Sequence, residues 1–132
     1  MLDTNILIST IVFKGEKLSR TLDYICHNHR LVLSTFVLDE LEYIILKKFN
    51  NKLVDYYKFI TTISYEIEYT PKTQVCLNEI KIRDENDIPV LYSAITSNVD
   101  ILITGDKDFE EIDIEKPVIM NANQFYEEYI KI

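Results

Sequence analysis

The chain has 132 residues, room for one domain with a sizeable core, and is 47% hydrophobic and 27% charged, which excludes wholesale disorder. Two glycines and three prolines exclude collagen-like, linker-rich and glycine-rich repeat architectures. Fourteen basic residues against twenty-two acidic ones leave a formal charge of −8, which excludes a grip on nucleic acid through a broad basic face. Such an acidic excess points to a basic partner, a metal, or solubility alone.

Leu2 and Asp3 open the chain at a first strand. The apolar run from Ile6 to Phe13, strand-sized or one-helix-sized, ends at Lys14-Gly15-Glu16. Lys17 to His29 carries Leu18, Leu22, Ile25 and Cys26 at helical spacing. Leu31-Val32-Leu33 reads as a short buried strand, and Ser34 or Thr35 then caps a helix to about Phe49. Asn50-Asn51 breaks that helix, and a second runs from about Lys52 to Ser64. Tyr65 to Tyr69 alternates as a strand that Pro71 closes. Asp84-Glu85-Asn86-Asp87 leads into a helix with Leu91, Ala94 and Ile95, and Pro89 falls in its first turn. Asp100 to Thr104 is a buried strand that Gly105 terminates, Val118-Ile119-Met120 is a last strand, and Ala122 to Ile130 a last helix.

Short apolar strands alternating with helices indicate an α/β domain with a mostly parallel sheet. In such folds, functional groups gather beyond the carboxyl ends of the strands. Cys26 and Cys76 are too few for a disulfide framework and read as reduced core thiols. No apolar run approaches the roughly twenty residues of a membrane span and no leader-like segment opens the chain, so the expectation is a cytoplasmic protein with no membrane association.

The residues after the strands are acidic. Asp3 follows the first strand, and Asp106 follows the Ile101 to Thr104 strand through Gly105, where a Gly-Asp turn is the bland explanation. At about 100° per residue, Val37, Leu41, Ile44 and Ile45 form one stripe of their helix. Glu40 lies at the edge of that stripe, with Phe36 and Tyr43 on its other side, while Asp39 and Glu42 point roughly opposite. A carboxylate wedged among apolar groups is costly without a partner, the alternative being a boundary Glu that snorkels outward. Asp87 alone is explained as an N-cap, and Asp84 and Glu85 as favouring the positive end of the helix. Taken together, Asp3, Glu40, Asp87 and Asp106 stand where a parallel sheet brings its loops together. Four carboxylates so placed repel unless a cation is bound, and an all-oxygen set suits Mg²⁺ or Mn²⁺ rather than zinc. Such an ion acidifies water and steadies a leaving oxygen, which serves phosphodiester hydrolysis.

Leu2-Asp3-Thr4-Asn5, the Ser34 to Glu40 segment, Arg83 to Asp87 with Ala94 seven residues on, and Asp100 to Phe109 together resemble a PIN domain (PilT N-terminus). Within that family they are similar to VapC-type toxin components of bacterial toxin–antitoxin systems. The resemblance implies a single domain over 1–132 with a three-layer α/β/α fold. It also implies a Mg²⁺- or Mn²⁺-dependent endoribonuclease acting on single-stranded or looped RNA, a cognate antitoxin and a homodimer. By resemblance Asp3, Glu40, Asp87 and Asp106 are the catalytic and metal-binding acids, and Asn5 and Thr104 support them by hydrogen bonding. Asp108 stands as a substitute for Asp106. Among sparse phosphate contacts (Lys14, Lys17, Arg20, Arg83 and Lys107) the favoured ones are Lys14 and Lys107, with Arg83.

The chain begins two residues before Asp3, so its first strand is shorter than usual in the family. A haloacid-dehalogenase-like phosphatase would need a second Asp where Asn5 stands, and a response-regulator receiver needs an acidic pair that is missing. His27-Asn28-His29 ends a helix and reads as exposed polar residues. A non-catalytic binding module on the same fold and a housekeeping RNA-processing nuclease are the remaining alternatives.

Overall fold

The computed structural model describes residues 1–71 and 88–131. Its backbone order is helix α1 (Thr4–Ile8), continued by a π-helical turn (Ser9–Phe13), then α2 (Glu16–Asn28), β1 (Val32–Ser34) and α3 (Thr35–Lys48). A 3₁₀ turn at Asn50–Lys52 leads to α4 (Leu53–Thr62) and β2 (Glu66–Glu68). Beyond residue 87 come α5 (Ile88–Thr96), β3 (Ile101–Ile103), a 3₁₀ turn (Lys107–Phe109), β4 (Val118–Met120) and α6 (Ala122–Phe125), extended by a π-helical turn (Tyr126–Ile130).

All strand pairing among the described residues is parallel, but it forms two pairs rather than one ladder. β1 pairs with β2, Leu33 opposite Ile67, and β3 pairs with β4, Leu102 opposite Ile119. The expected first strand shrinks to one parallel bridge, Leu2 to Ile103. It is nonetheless fastened on both sides, since Ile103 N–H donates to the Met1 carbonyl at 2.9 Å and Asp3 N–H to the Ile103 carbonyl at 3.0 Å. The apolar run from Ile6 to Phe13 is helical. Asp3, in extended backbone, caps it by accepting a hydrogen bond from Thr4 N–H, so the helix starts as soon as the bridge ends.

Caps written in the sequence fix most other boundaries. Ser34 Oγ accepts from Val37 N–H and starts α3 directly at the carboxyl end of β1. Asn98 takes a left-handed conformation (φ 54°) after α5, and Val99 N–H reaches back to the Ala94 carbonyl, a helix ending that tolerates Asn in place of Gly. Asn121 and Gln124 form a reciprocal capping box at the start of α6. The helix from Lys52 ends at Thr62 rather than Ser64, because Ile63 turns to extended backbone.

One apolar cluster runs through Leu7, Leu33, Val37, Leu41, Ile45, Leu91 and Leu102, all fully buried, and unites α1, α3, α5, β1 and β3. β2 differs from a two-sided buried strand: Glu66 and Ile67 are exposed, and among the described residues it pairs with β1 alone. Cys26 is a free, half-buried thiol on α2, less interior than the sequence suggested, and Cys76 lies outside the described residues. No described helix is long and apolar enough to cross a membrane.

Candidate active site

The parallel bridge sets Asp3 beside Thr104, each the first residue past the carboxyl end of its strand. Thr104 Oγ1 donates to Asp3 Oδ2 at 2.7 Å, and Thr4 N–H donates to Asp3 Oδ1 at 2.7 Å. Thr104 Oγ1 also accepts from Asp106 N–H at 3.1 Å. Asp108 N–H donates to Asp106 Oδ1 at 2.9 Å, which tightens the 3₁₀ turn after the strand. Asn5 closes the other side, its Oδ1 accepting from Gly105 N–H at 3.3 Å. Asn5, Thr104 and Asp108 therefore all hold the loop or the acid itself in place. Gly105 carries no left-handed backbone, and a Cβ there would meet Asn5 at an ordinary 3.7 Å, so neither backbone conformation nor space requires glycine at this position.

Asp3 is only 6% exposed. Burial is the main force pushing its carboxyl above the usual carboxylate range, and the negative charges of Glu40 and Asp106 push the same way. The hydrogen bonds from Thr104 and Thr4 pull in the opposite direction without reversing the result. Burial thus outweighs two short hydrogen bonds, and two further acids stand close enough to be felt. Among the described residues no ion pair reaches Asp3, Glu40 or Asp106.

Glu40 arrives from α3, which packs on α1. Val37, Leu41 and Ile45 are buried and Asp39 and Glu42 exposed, as the helical spacing required. Glu40 is half-buried. Tyr43, expected to flank it, is 63% exposed, because no described element covers that side of the helix. Asp87 and Arg83 lie outside the described residues, as do Asp84 and Glu85; α5, which follows them, begins at Ile88.

Thr4 was quoted in the opening motif without a role. Its Oγ1 is fully buried and finds no hydrogen-bond partner among the described residues, although a buried hydroxyl normally has one. Only its neighbour Asp3 could have flagged it. The network of Thr70 was also illegible: its N–H donates to Thr35 Oγ1, while its own Oγ1 accepts from Phe36 N–H and Ser93 Oγ. Those bonds tie the start of α3, which presents Glu40, to α5.

The phosphate candidates fall in different places. Lys107 is exposed in the turn directly after Asp106. Lys14 stands beyond the π-helical turn, roughly 15 Å of helix from Asp3, and its Nζ is 3.3 Å from Asp55. His27 donates from Nδ1 to the Asp23 carbonyl, and His29 packs its ring against Tyr24, Phe125 and Tyr129, far from a catalytic pairing.

The donor set around Asp3 is all oxygen, without Cys or His, which fits a hard divalent cation. Among the described residues, however, no group of three His, Cys, Asp or Glu side chains is assembled closely enough to hold a metal ion. A cavity of about 410 Å³ opens instead at the amino ends of the strands, lined by Met1, Arg30, Val32, Glu66 and Ile101, and includes none of these acids. That cavity lies apart from the residues at the carboxyl ends of the strands, so the acids rather than this hollow define the candidate site.

Comparison with known proteins supplies the family. The model of the PIN domain matches residues 1–108. Among solved structures, the crystal structure of VapBC2 from Rickettsia felis bound to a DNA fragment from their promoter contains a chain that is 24% identical, with a TM-score of 0.70, over 92% of this chain and 96% of that one. No curated protein matches the chain. With four-fifths of its length matched by the family model and its parallel α/β fold shared with the VapBC2 chain, the protein belongs to the PIN domain family.

Proposed function

We propose that the protein is a Mg²⁺- or Mn²⁺-dependent endoribonuclease, the toxin of a toxin–antitoxin pair. The observation that carries this reading is Asp3: a nearly buried carboxyl, raised by burial and by Glu40 and Asp106, held at a strand end with no cation paired to it among the described residues. A protein keeps so costly an arrangement where a cation relieves it. PIN membership supports hydrolysis of phosphodiesters, and the VapBC2 neighbour supports an antitoxin partner.

Asp3, Asp106 and, from the stretch before α5, Asp87 would hold the ion, with Glu40 beside the attacking water or a second ion. A bound divalent cation supplies Lewis acidity and lowers the pKa of water toward neutrality. The chain's own residues do the positioning. Thr104 orients Asp3 and at the same time fixes the backbone of Asp106, so one hydroxyl sets the relation between two acids. Asn5 and Asp108 hold the loop on which Asp106 rides, and Lys107 offers a phosphate contact beside it.

The test is cleavage of labelled single-stranded and hairpin RNAs by the purified chain in Mn²⁺, in Mg²⁺ and in EDTA. Metal-dependent internal cleavage that EDTA abolishes is expected. Absence of cleavage in either metal across all the RNAs would contradict the proposal and favour a non-catalytic binding module.

A further inference from the structure

Several basic side chains of this acidic protein are tied to carboxylates. Lys14 and Lys52 share Asp55, Arg30 meets Glu66, Lys116 meets Asp100 and Lys131 meets Glu127. Lys17 and Arg20 differ. Neither has a carboxylate partner among the described residues, and both stand over one aromatic ring. Lys17 Nζ lies 4.6 Å from the centre of the Tyr126 ring and Arg20 Cζ 5.9 Å from it. Lys17 also donates to Asn123 Oδ1. Each cation gains from the face of the ring, but two like charges set on one ring repel each other. An anion between them relieves that repulsion. The open hollow they line, about 590 Å³, is bounded by Glu16, Glu127 and Lys131 as well, and of these Glu127 is already engaged by Lys131 at 3.2 Å.

The placement connects this cluster to the acids. Asn123 sits two residues past Asn121, which caps α6 at the carboxyl end of β4. The preceding residue, Met120, accepts at its carbonyl from Thr104 N–H at 3.0 Å, and Thr104 is the residue that holds Asp3. Leu18, next to Lys17, and Ala122 line one small apolar void with Leu2 and Ile103, so α2 and α6 are packed together on the same pair of strands.

We propose that Lys17 and Arg20, set on the ring of Tyr126, form a phosphate subsite that holds the RNA strand beyond β4 and steers it to the acids. The inference rests on the nuclease reading above. It also answers the charge problem: a chain of −8 holds a polyanion through a local pair of unshared cations rather than through a basic face.

The test uses Asp3→Asn as a non-cleaving parent and fluorescence anisotropy with a labelled single-stranded oligouridylate in Mg²⁺, across about 50 to 200 mM KCl. The double substitution Lys17→Gln with Arg20→Gln is compared with Lys47→Gln with Lys48→Gln, the same charge change on the exposed last turn of α3. The subsite predicts about tenfold weaker binding at low salt for the first pair. It also predicts a salt slope lower by about 0.7 to 1.4, the value for one or two single-strand phosphate contacts. Unchanged affinity and slope, or an equal loss in the Lys47 and Lys48 pair, would overturn the subsite while leaving the nuclease reading intact. If the wild type cleaves no RNA and the parent binds none, the nuclease reading fails and the subsite with it. Retained RNA binding with loss of a poly-glutamate peptide would assign the cations to an acidic protein segment and overturn the proposal as well.

Discussion

Replacing Asp3 by Asn is expected to stabilise the metal-free protein at neutral pH, although it changes a residue at the centre of the site. The carboxylate accepts two hydrogen bonds of 2.7 Å, each favouring the charged form by about 1 kcal/mol or somewhat more. Burial, with the charges of Glu40 and Asp106, still outweighs them and raises the folded-state pKa above its unfolded value. The sign follows directly. A raised carboxyl contributes stability that is fully present below the unfolded value, near 3.9, and is lost as pH rises through the folded value. Above that window the ionised Asp3 is a net cost, on the order of 1 kcal/mol. Asn resembles the protonated acid: its oxygen accepts from Thr4, at the expense of the bond from Thr104. In EDTA, thermal unfolding should therefore place Asp3→Asn about 4 °C above wild type at pH 8, with the gap closing toward pH 4. Mg²⁺ at about ten times its dissociation constant adds about 1.4 kcal/mol to wild type alone and reverses the order. A variant that is less stable in EDTA at every pH, by a constant amount, would refute the view of Asp3 as a suppressed charge awaiting a cation.

Thr104→Val removes the donor to Asp3 and leaves Asp106 N–H without its acceptor, so urea unfolding should show a loss of about 1–3 kcal/mol that Thr104→Ser largely restores. Equal losses in both variants would mean that the methyl rather than the hydroxyl matters. Glu40→Gln deletes one of the charges that raise Asp3, so the titration of the Asp3 carboxyl carbon by NMR should move to lower pH. No movement would place Glu40 away from the site. Ser34→Ala takes the cap from α3 and should cost about 1 kcal/mol in thermal unfolding, with no change if Val37 N–H finds another acceptor.

The parts of the molecule legible in sequence are those set by local chemistry. The apolar run ending at Thr104, followed by Gly105 and Asp106, marks a buried strand and its loop without any tertiary information. Ser34 and the spacing of Val37, Leu41 and Ile45 orient α3 well enough to put Glu40 at a boundary. What periodicity cannot tell is whether a neighbouring element covers a given side, and that is why Tyr43 is exposed where an apolar setting was expected. The Ile6 to Phe13 run is interrupted only once, by the adjacent Ser9 and Thr10, too little to set a period, so its helix is decided by the Asp3 cap instead. The division of the sheet into two pairs is likewise invisible, because three-residue strands carry almost no register signal. Lys17 and Asn123 are 106 residues apart, and nothing in either segment announces the other.

The most direct measurement of the central claim is the cleavage rate of one RNA in Mn²⁺ by four single variants, Asp3→Asn, Glu40→Gln, Asp87→Asn and Asp106→Asn. Asp100→Asn is the control, since Asp100 is exposed and paired with Lys116 at 3.3 Å. If the four acids form one cation-dependent site, each of the four variants loses at least about a hundredfold in rate while Asp100→Asn cleaves as wild type does. Cleavage at the wild-type rate by Asp3→Asn or Asp106→Asn would contradict it.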